Sequence, residues 1–176
     1  MKNQEKKYRL IQPNESYAEE WQHAVDALNK KDGKIIPNNL YSESFTSFLK
    51  NIQNLASGIN LPEGYVPSEL YFLVERDNPN VILGVTDIRL GTTPAIEQYF
   101  GHAGGCILPE YRKQGLGKYI IGLSLDILRQ KGFKTVILTC ETWNEGSRRA
   151  IIFNGGTFIG TSSLGEKTYE RYLINL

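Results

Sequence analysis

Residues 109–120 read PEYRKQGLGKYI, in which a proline, a group of charged residues and two glycines lead directly into an apolar run. Apolar residues then recur at helical spacing as far as Gly132, and they predict a helix that begins near Gly115. The first N–H groups of a helix have no intrahelical partner, and the helix dipole places a charge of roughly +0.5 there. The stretch is therefore suited to binding an anion such as a pyrophosphate. The helical residues are Leu116, Tyr119, Ile120, Leu123, Ile127 and Leu128.

The side chains of this turn favour the same interpretation. Gly115 and Gly117 have no Cβ atom, so a phosphate can approach their backbone amides closely. Arg112, Lys113 and Lys118 add positive charge around that position.

Two familiar phosphate-binding motifs do not match the stretch. A nucleotide P-loop requires glycine where Arg112 stands and a hydroxyl residue where Tyr119 stands. A dinucleotide-binding fingerprint requires a small residue at Ile120 and a strand near the start of the fold. The pattern R/Q-x-x-G-x-G/A does match, through Arg112, Gly115 and Gly117. The alternative is a glycine-rich connection between a strand and a helix that binds no ligand.

Composition limits the classes of function. With 176 residues, of which 40% are hydrophobic and 22% charged, residues 1–176 are expected to form one domain. The net charge of +1 and the lack of a long basic block do not favour nucleic-acid binding. No window approaches the ~18 uninterrupted apolar residues of a membrane span, so we expect a soluble cytoplasmic protein without membrane partners. Cys106 and Cys140 are isolated, which predicts reduced thiols and no metal site.

The order of predicted elements is typical of a mainly antiparallel α/β protein. The N-terminal half combines two helices with a hairpin, whereas strands alternate with helices in the C-terminal half, which implies one parallel pair. The first helix is expected to end at Gly33. Strands are predicted at 8–12, 70–77, 81–90, 101–110, 134–140, 157–164 and 167–176, and helices at about 15–32, 42–56, 115–131 and 147–154.

Two stretches in this order, GHAGGCILPEYRKQGLG and TCETWNEGSRRAIIFNGG, resemble the cofactor-binding segments of the GNAT superfamily of acyl-CoA-dependent N-acetyltransferases. The resemblance extends over nearly the whole chain and is strongest from residue 101 to residue 158. It is closest to a bacterial branch with G-H-x-G before the turn. It implies the GNAT fold, a central twisted mixed sheet of about seven strands with one parallel pair, flanked by about four helices.

The resemblance also assigns cofactor-binding roles. It implies that backbone groups of Cys106, Ile107 and Leu108 pair with the pantetheine amides of coenzyme A. Asn144 is implied to contact the pantetheine or to fix the nearby loop; capping of the following helix is the alternative, and both roles are compatible. The residues implied to hold the pyrophosphate are Arg112, Lys113, Gln114, Gly115, Leu116, Gly117 and Lys118.

The implied activity is transfer of the acetyl group from acetyl-CoA to a primary amine by direct attack in a ternary complex. The acceptor is expected to be a small molecule, an amino acid or a peptide N-terminus. Ile151 stands where many relatives carry a tyrosine general acid, so that role has no evident residue here. A Cys140 nucleophile is disfavoured because no paired histidine is evident.

His102 is the first candidate for the general base, because it begins the cofactor strand and imidazole titrates near neutral pH. A structural histidine is the alternative. Glu75, Asp87, Glu141 and Glu145 are further candidates.

A second class of function stays open, a catalytically silent module that binds acyl-CoA and senses its level. Both functions predict coenzyme A binding, but only an enzyme releases free thiol when it is given an amine. Whether the chain forms a homodimer is also left open.

Overall fold

A computed structural model describes residues 7–32 and 37–176 of the chain. The end of the first helix predicted at Gly33 lies outside the described residues. The strands are β1 (Tyr8–Ile11), β2 (Ser68–Glu75), β3 (Gly84–Arg89), β4 (Ala103–Ile107), β5 (Thr135–Glu141), β6 (Thr157–Leu164) and β7 (Lys167–Asn175). The α-helices are α1 (Ala18–Asp32), α2 (Phe45–Ala56), α3 (Leu116–Gln130) and α4 (Glu145–Phe153).

The helix starts agree with the sequence to within three residues, and capping side chains explain the differences for α2 and α4. Helix α2 begins at Phe45 because the Ser44 hydroxyl accepts a hydrogen bond from Ser47 N at 3.2 Å. Helix α4 begins at Glu145 because Asn144 Oδ1 accepts from Ser147 N at 3.1 Å. In the part of the chain that the structure describes, no helix is long and apolar enough to cross a membrane.

The strands form two sheets, in the orders β1-β2-β3-β4 and β5-β7-β6, and all of their ladders are antiparallel. The predicted parallel pair is therefore corrected: within residues 7–32 and 37–176 no ladder joins β4 to β5. The two strands meet where His102 N, just before β4, donates to Ile137 O at 2.8 Å. Beyond that point their backbones are not paired with each other, which leaves an opening between the sheets.

Each face of the four-stranded sheet is covered by different helices. Side chains of β2 alternate between the faces, so Phe72 packs with α1 and α2 while Leu73 packs with α3. On β3, Val85 faces α1 and α2, whereas Thr86 hydrogen-bonds Ser124 of α3 at 3.1 Å. β4 is the edge strand of the same sheet, so the strand that borders the opening also has different helices on its two sides.

A single π-helical turn, Ile96–Phe100, joins the two sheets at the closed end of this opening. The last carbonyls of a helix lack intrahelical donors. In this turn, four consecutive backbone carbonyls accept hydrogen bonds from side chains of four different strands. The turn therefore holds β3, β5, β6 and β7 together. The bonds run from Arg171 Nε to Glu97 O (2.8 Å), Ser162 Oγ to Gln98 O, Thr139 Oγ1 to Tyr99 O (2.8 Å) and Arg89 Nη1 to Phe100 O (3.1 Å).

Candidate active site

The predicted anion-binding turn lies at the start of α3, where the sequence placed it. Gly115 is the N-cap residue, with φ of +78°, and no side chain caps the helix. In contrast, Ser44 and Asn144 cap α2 and α4 with their own side chains. The N-cap residue of α3 therefore offers no side-chain acceptor to the first amides of the helix, which suits an incoming phosphate.

The charged residues of the turn have different environments. Lys113 is exposed and has a φ of +62°, a left-handed conformation that is uncommon for a residue with a Cβ atom. The Lys118 ammonium lies 5.0 Å from the ring centroids of Tyr119 and Phe153, so two aromatic rings hold its charge beside the turn. Gln114 is exposed, and its amide donates to Glu110 O at 3.3 Å.

Leu116 and Gly117 contribute backbone groups rather than side chains to the turn. The Leu116 side chain is buried in the core with Leu73 of β2, which leaves only its backbone for a ligand. A Cβ atom on Gly117 would lie 3.5 Å from the Ala150 Cβ atom, an ordinary van der Waals contact, so α3 and α4 lie close together at this point.

The ladder between β3 and β4 decides which backbone groups of β4 face the opening. Hydrogen-bonded pairs alternate along an antiparallel ladder, so Cys106, paired with Val85, directs its backbone groups toward β3. Leu108 lies just beyond β4, and its N–H donates to the carbonyl of Leu83, the residue before β3. The bonds that fix this alternation run from Arg89 N to His102 O (2.8 Å) and from Leu108 N to Leu83 O (3.0 Å).

Gly105 and Ile107 therefore direct their backbone groups away from β3 and toward the opening. Of the three strand residues predicted to pair with pantetheine, Ile107 has this orientation, whereas the backbone N–H groups of Cys106 and Leu108 point toward β3 and the residue before it. Which of the three contact the pantetheine stays a prediction. The Ile107 carbonyl already accepts from Arg112 Nε at 2.9 Å, which braces the turn against β4 and leaves the Ile107 N–H facing outward.

His102 is buried, with 3% of its surface exposed, and both ring nitrogens have protein partners. Ile137 N donates to Nδ1 at 3.0 Å, Nδ1 also lies 3.2 Å from Ile137 O, and Nε2 lies 3.0 Å from Thr92 Oγ1. The ring also packs edge-on against Phe133, and burial lowers the pKa of the imidazole. The imidazole accepts a hydrogen bond from the Ile137 N–H, which a β4–β5 ladder continuing from this point would need as a donor. The backbone hydrogen bonding between the two sheets therefore stops here. This geometry argues against the prediction that His102 is the general base.

Three of the other candidate bases lie in ion pairs at the surface. Glu75 pairs with Lys7 at 3.0 Å at the β1–β2 end of the sheet. Glu145 pairs with Arg149 at 2.8 Å. Glu141 pairs with Lys167 and accepts from the indole N–H of the exposed Trp143 at 2.6 Å.

Asp87 differs from these three because it is buried near the opening, with 5% of its surface exposed. Its Oδ1 accepts from Asn39 Nδ2 at 2.7 Å, and Arg89 Nη2 lies 3.4 Å from its Oδ2. Sequence reasoning named Asp87 but missed Asn39, because the two residues are 48 positions apart and no local pattern links them.

Cys140 is a buried free thiol on β5 that packs in one cluster with Ile151 of α4, and its Sγ lies 4.0 Å from Glu170 Oε2. Burial, assisted by the nearby Glu170 carboxylate, raises the pKa of the Cys140 thiol to about 11. Ile151 is likewise buried in the same cluster, so it supplies no acid. The thiol is therefore protonated and a poor nucleophile at neutral pH.

Comparison with known proteins agrees with this geometry. Residues 38–161 match the model of the Acetyltransferase (GNAT) family. No curated protein matches the sequence. The fold is similar to RimL, a ribosomal L7/L12 α-N-protein acetyltransferase in complex with coenzyme A, with a TM-score of 0.70 and 15% identity over 97% of this chain and 94% of that one.

Further structures share the same fold. One is the acetyltransferase from Salmonella typhimurium that modifies the N-terminal serine of L7/L12 (TM-score 0.66, 16% identity, 97% and 95% covered). Another is the microcin C7 self-immunity acetyltransferase MccE with acetyl-CoA and AMP (TM-score 0.66, 15% identity, 97% and 93% covered). Since the family match spans most of the chain, this protein belongs to the GNAT family and is an acyl-CoA-dependent acetyltransferase.

Proposed function

We propose that this protein transfers the acetyl group of acetyl-CoA to a primary amine by direct attack of the amine on the thioester. The observation that carries the proposal is the uncapped start of α3, a glycine turn with flanking cations directly after the strand that borders the opening. The amides of this turn, with Lys113 and Lys118, are suited to the pyrophosphate of coenzyme A.

The opening between the sheets supplies the second part of the site. The outward N–H groups of Gly105 and Ile107 are donors for the pantetheine and for the thioester oxygen, whose negative charge grows as the amine attacks. Gly105 is exposed, so a ligand in the opening can reach its N–H group. Asn144 caps α4 and thereby fixes the loop at the same end of β5.

The acceptor class rests on the chemistry of the family and on its relatives. RimL acts on a protein α-amine, which supports a primary amine of a peptide, an amino acid or a small molecule as the acceptor here. The buried, protonated Cys140 supports direct transfer rather than an acyl-enzyme intermediate.

Substitution of Gly115 tests the cofactor site. Among the described residues, a Cβ atom added at Gly115 would meet only a Lys118 side-chain carbon, at 3.8 Å, so a side chain fits there. Gly115→Asp places a negative charge at the turn, and Gly115→Asn is the matched neutral control because both residues tolerate a positive φ. We expect acetyl-CoA affinity in calorimetry to fall at least about tenfold more in the aspartate variant than in the asparagine variant.

Equal affinity of the two folded variants would refute the placement of the pyrophosphate. Transfer itself is tested by thiol release from acetyl-CoA across peptides, amino acids and polyamines. Tight acetyl-CoA binding without thiol release from any amine would contradict the transfer proposal and favour the silent acyl-CoA-binding module.

A further inference from the structure

The face of β3 that is turned toward α1 and α2 carries a buried carboxylate with spare hydrogen-bonding capacity. Asp87 accepts one hydrogen bond from Asn39 and has one ionic contact with Arg89. An ionised carboxylate offers about four lone-pair positions, so these contacts leave acceptor positions open.

The amide of Asn39 adds a second acceptor beside this carboxylate. Its nitrogen must be the atom that points at Asp87, because an ionised carboxylate accepts but does not donate. The remaining atom, Asn39 Oδ1, is buried and has no hydrogen-bond partner among the described residues. Two adjacent oxygens that need donors match a group with several N–H donors and no acceptor, which describes a primary ammonium.

Asn39 is held in place by the segment around it. Leu40 is fully buried, and its carbonyl accepts from the Trp21 indole N–H at 2.8 Å. The short helical turn Asn38–Leu40 is thereby fixed to α1, and the Asn39 amide is fixed against β3. The two oxygens therefore form a preorganised pair rather than a chance surface contact.

Asp87 lies one strand away from the opening where the thioester is expected. It pairs with Gly104 across the ladder, and neighbouring strands are about 4.8 Å apart. Gly104 has no side chain, and the atom nearest to a Cβ atom added there would be Arg89 Nη1, at 3.3 Å. The backbone groups of the next residue, Gly105, face the opening, so at this level the Arg89 guanidinium, rather than a side chain of β4, lies beside the carboxylate.

Among the described residues, Arg89 is the charged group that contacts Asp87. Along the two ladders Asp87 faces Leu70 and Gly104, which carry no charge. Arg89 is itself held, because its Nη1 donates to the carbonyls of Phe100 and Gly101 at 3.1 Å each. Its guanidinium therefore stays over Gly104 and positions the carboxylate.

We propose that Asp87 binds the ammonium group of the acceptor and takes its proton, with Asn39 as a positioning residue. The proposal rests on the proposed acetyl transfer and names the residue that prepares the acceptor for it. A proton moves from the ammonium to the Asp87 carboxylate, and the nitrogen lone pair forms the C–N bond. The C–S bond breaks, its electron pair leaves on the coenzyme A sulfur, and the second amine proton goes to that thiolate. Asp87 then returns its proton to solvent.

The test compares Asp87→Asn with wild type on a peptide α-amine, whose pKa is about 7.7–8.0. We expect kcat/KM at pH 6.5 to fall by at least about 100-fold, the lower limit for loss of a general base. At pH 9 the amine is already neutral, so the loss should shrink to less than about tenfold. The matched control is Asp77→Asn, which removes an exposed carboxylate from the β2–β3 connection and should change neither rate.

Acetyl-CoA affinity and melting temperature are measured for every variant. A loss equal at pH 6.5 and pH 9, or one below about tenfold at pH 6.5, would overturn the assignment of Asp87. If Asp87→Asn proves unstable, Asn39→Ala serves as a second variant. We expect Asn39→Ala to raise the KM for the amine about tenfold with less effect on kcat. An unchanged KM would contradict a site formed by Asp87 and Asn39 together. Wild-type protein that releases thiol with no amine would instead refute the proposed function, and this inference with it.

Discussion

Replacement of His102 separates a structural role from a catalytic one. In His102→Ala the buried Ile137 N–H loses its acceptor, which costs about 1–3 kcal/mol, and the packing against Phe133 is lost as well. We expect a total loss of about 3 kcal/mol in the free energy of unfolding. For a domain of this size that corresponds to a melting temperature lower by roughly 6–12 °C.

His102→Asn is the matched control, because its side-chain oxygen can take the position of Nδ1 and accept from Ile137 N. We expect it to recover about half of the lost stability. Thermal unfolding followed by circular dichroism measures both variants. Turnover is then measured well below the melting temperatures with an amine that the wild type acetylates.

A structural His102 predicts that both variants keep kcat within about tenfold of wild type, whereas loss of a general base costs about 10²- to 10⁴-fold. The reasoning is refuted if His102→Ala melts like the wild type and loses at least about 100-fold in kcat. In that case the original prediction of a catalytic His102 would stand, and the hydrogen bonds to Ile137 and Thr92 would have to open in the complex with substrate.

Three further outcomes follow from burial and close contacts. Burial lowers the pKa of His102 in the folded state below its unfolded value of about 6.5, so the unfolded chain binds the proton first as the pH falls. The free energy of unfolding from urea titrations should therefore decrease below about pH 6.5. His102→Asn should make this decrease smaller. Cys140→Ala should keep most turnover, and mass spectrometry should find no acetyl adduct on the wild type after incubation with acetyl-CoA alone; a stoichiometric adduct on Cys140 would show a two-step route. Gly105→Ala should unfold more easily than wild type by at least about 2 kcal/mol, because its Cβ would lie 2.1 Å from the Val85 carbonyl oxygen; an unchanged urea midpoint would show that β3 and β4 can separate.

The sequence predicts best the features that short stretches determine. The spacing of Gly115 and Gly117 and the apolar period that follows them suffice to place the start of α3, because each residue acts through neighbours within one or two turns. Helix α2 begins three residues later than predicted because the Ser44 cap, rather than the first polar residue of the segment, sets its start. Such errors are local and small.

The contacts of His102 could not be predicted in the same way. Its two ring nitrogens are satisfied by Ile137, 35 positions away, and by Thr92. A histidine at the start of a cofactor strand looks the same in sequence whether it reaches the substrate or replaces a backbone partner. The pairing of Asn39 with Asp87 is equally invisible, because it depends on where the short turn Asn38–Leu40 packs against β3, 48 positions away.

The missing parallel ladder connects these observations to the site. A continuous β4–β5 ladder would consume the outward N–H groups of Gly105 and Ile107, which the proposed transfer requires as free donors. The structure prevents this ladder at one end, where the His102 imidazole takes the Ile137 N–H and the π-helical turn Ile96–Phe100 binds both sheets. The separation is thus built into the folded chain and does not have to be created by the ligand. Strengthening the contact between the sheets at their closed end should therefore leave acetyl-CoA affinity intact, whereas any change that lets β4 pair with β5 should abolish it.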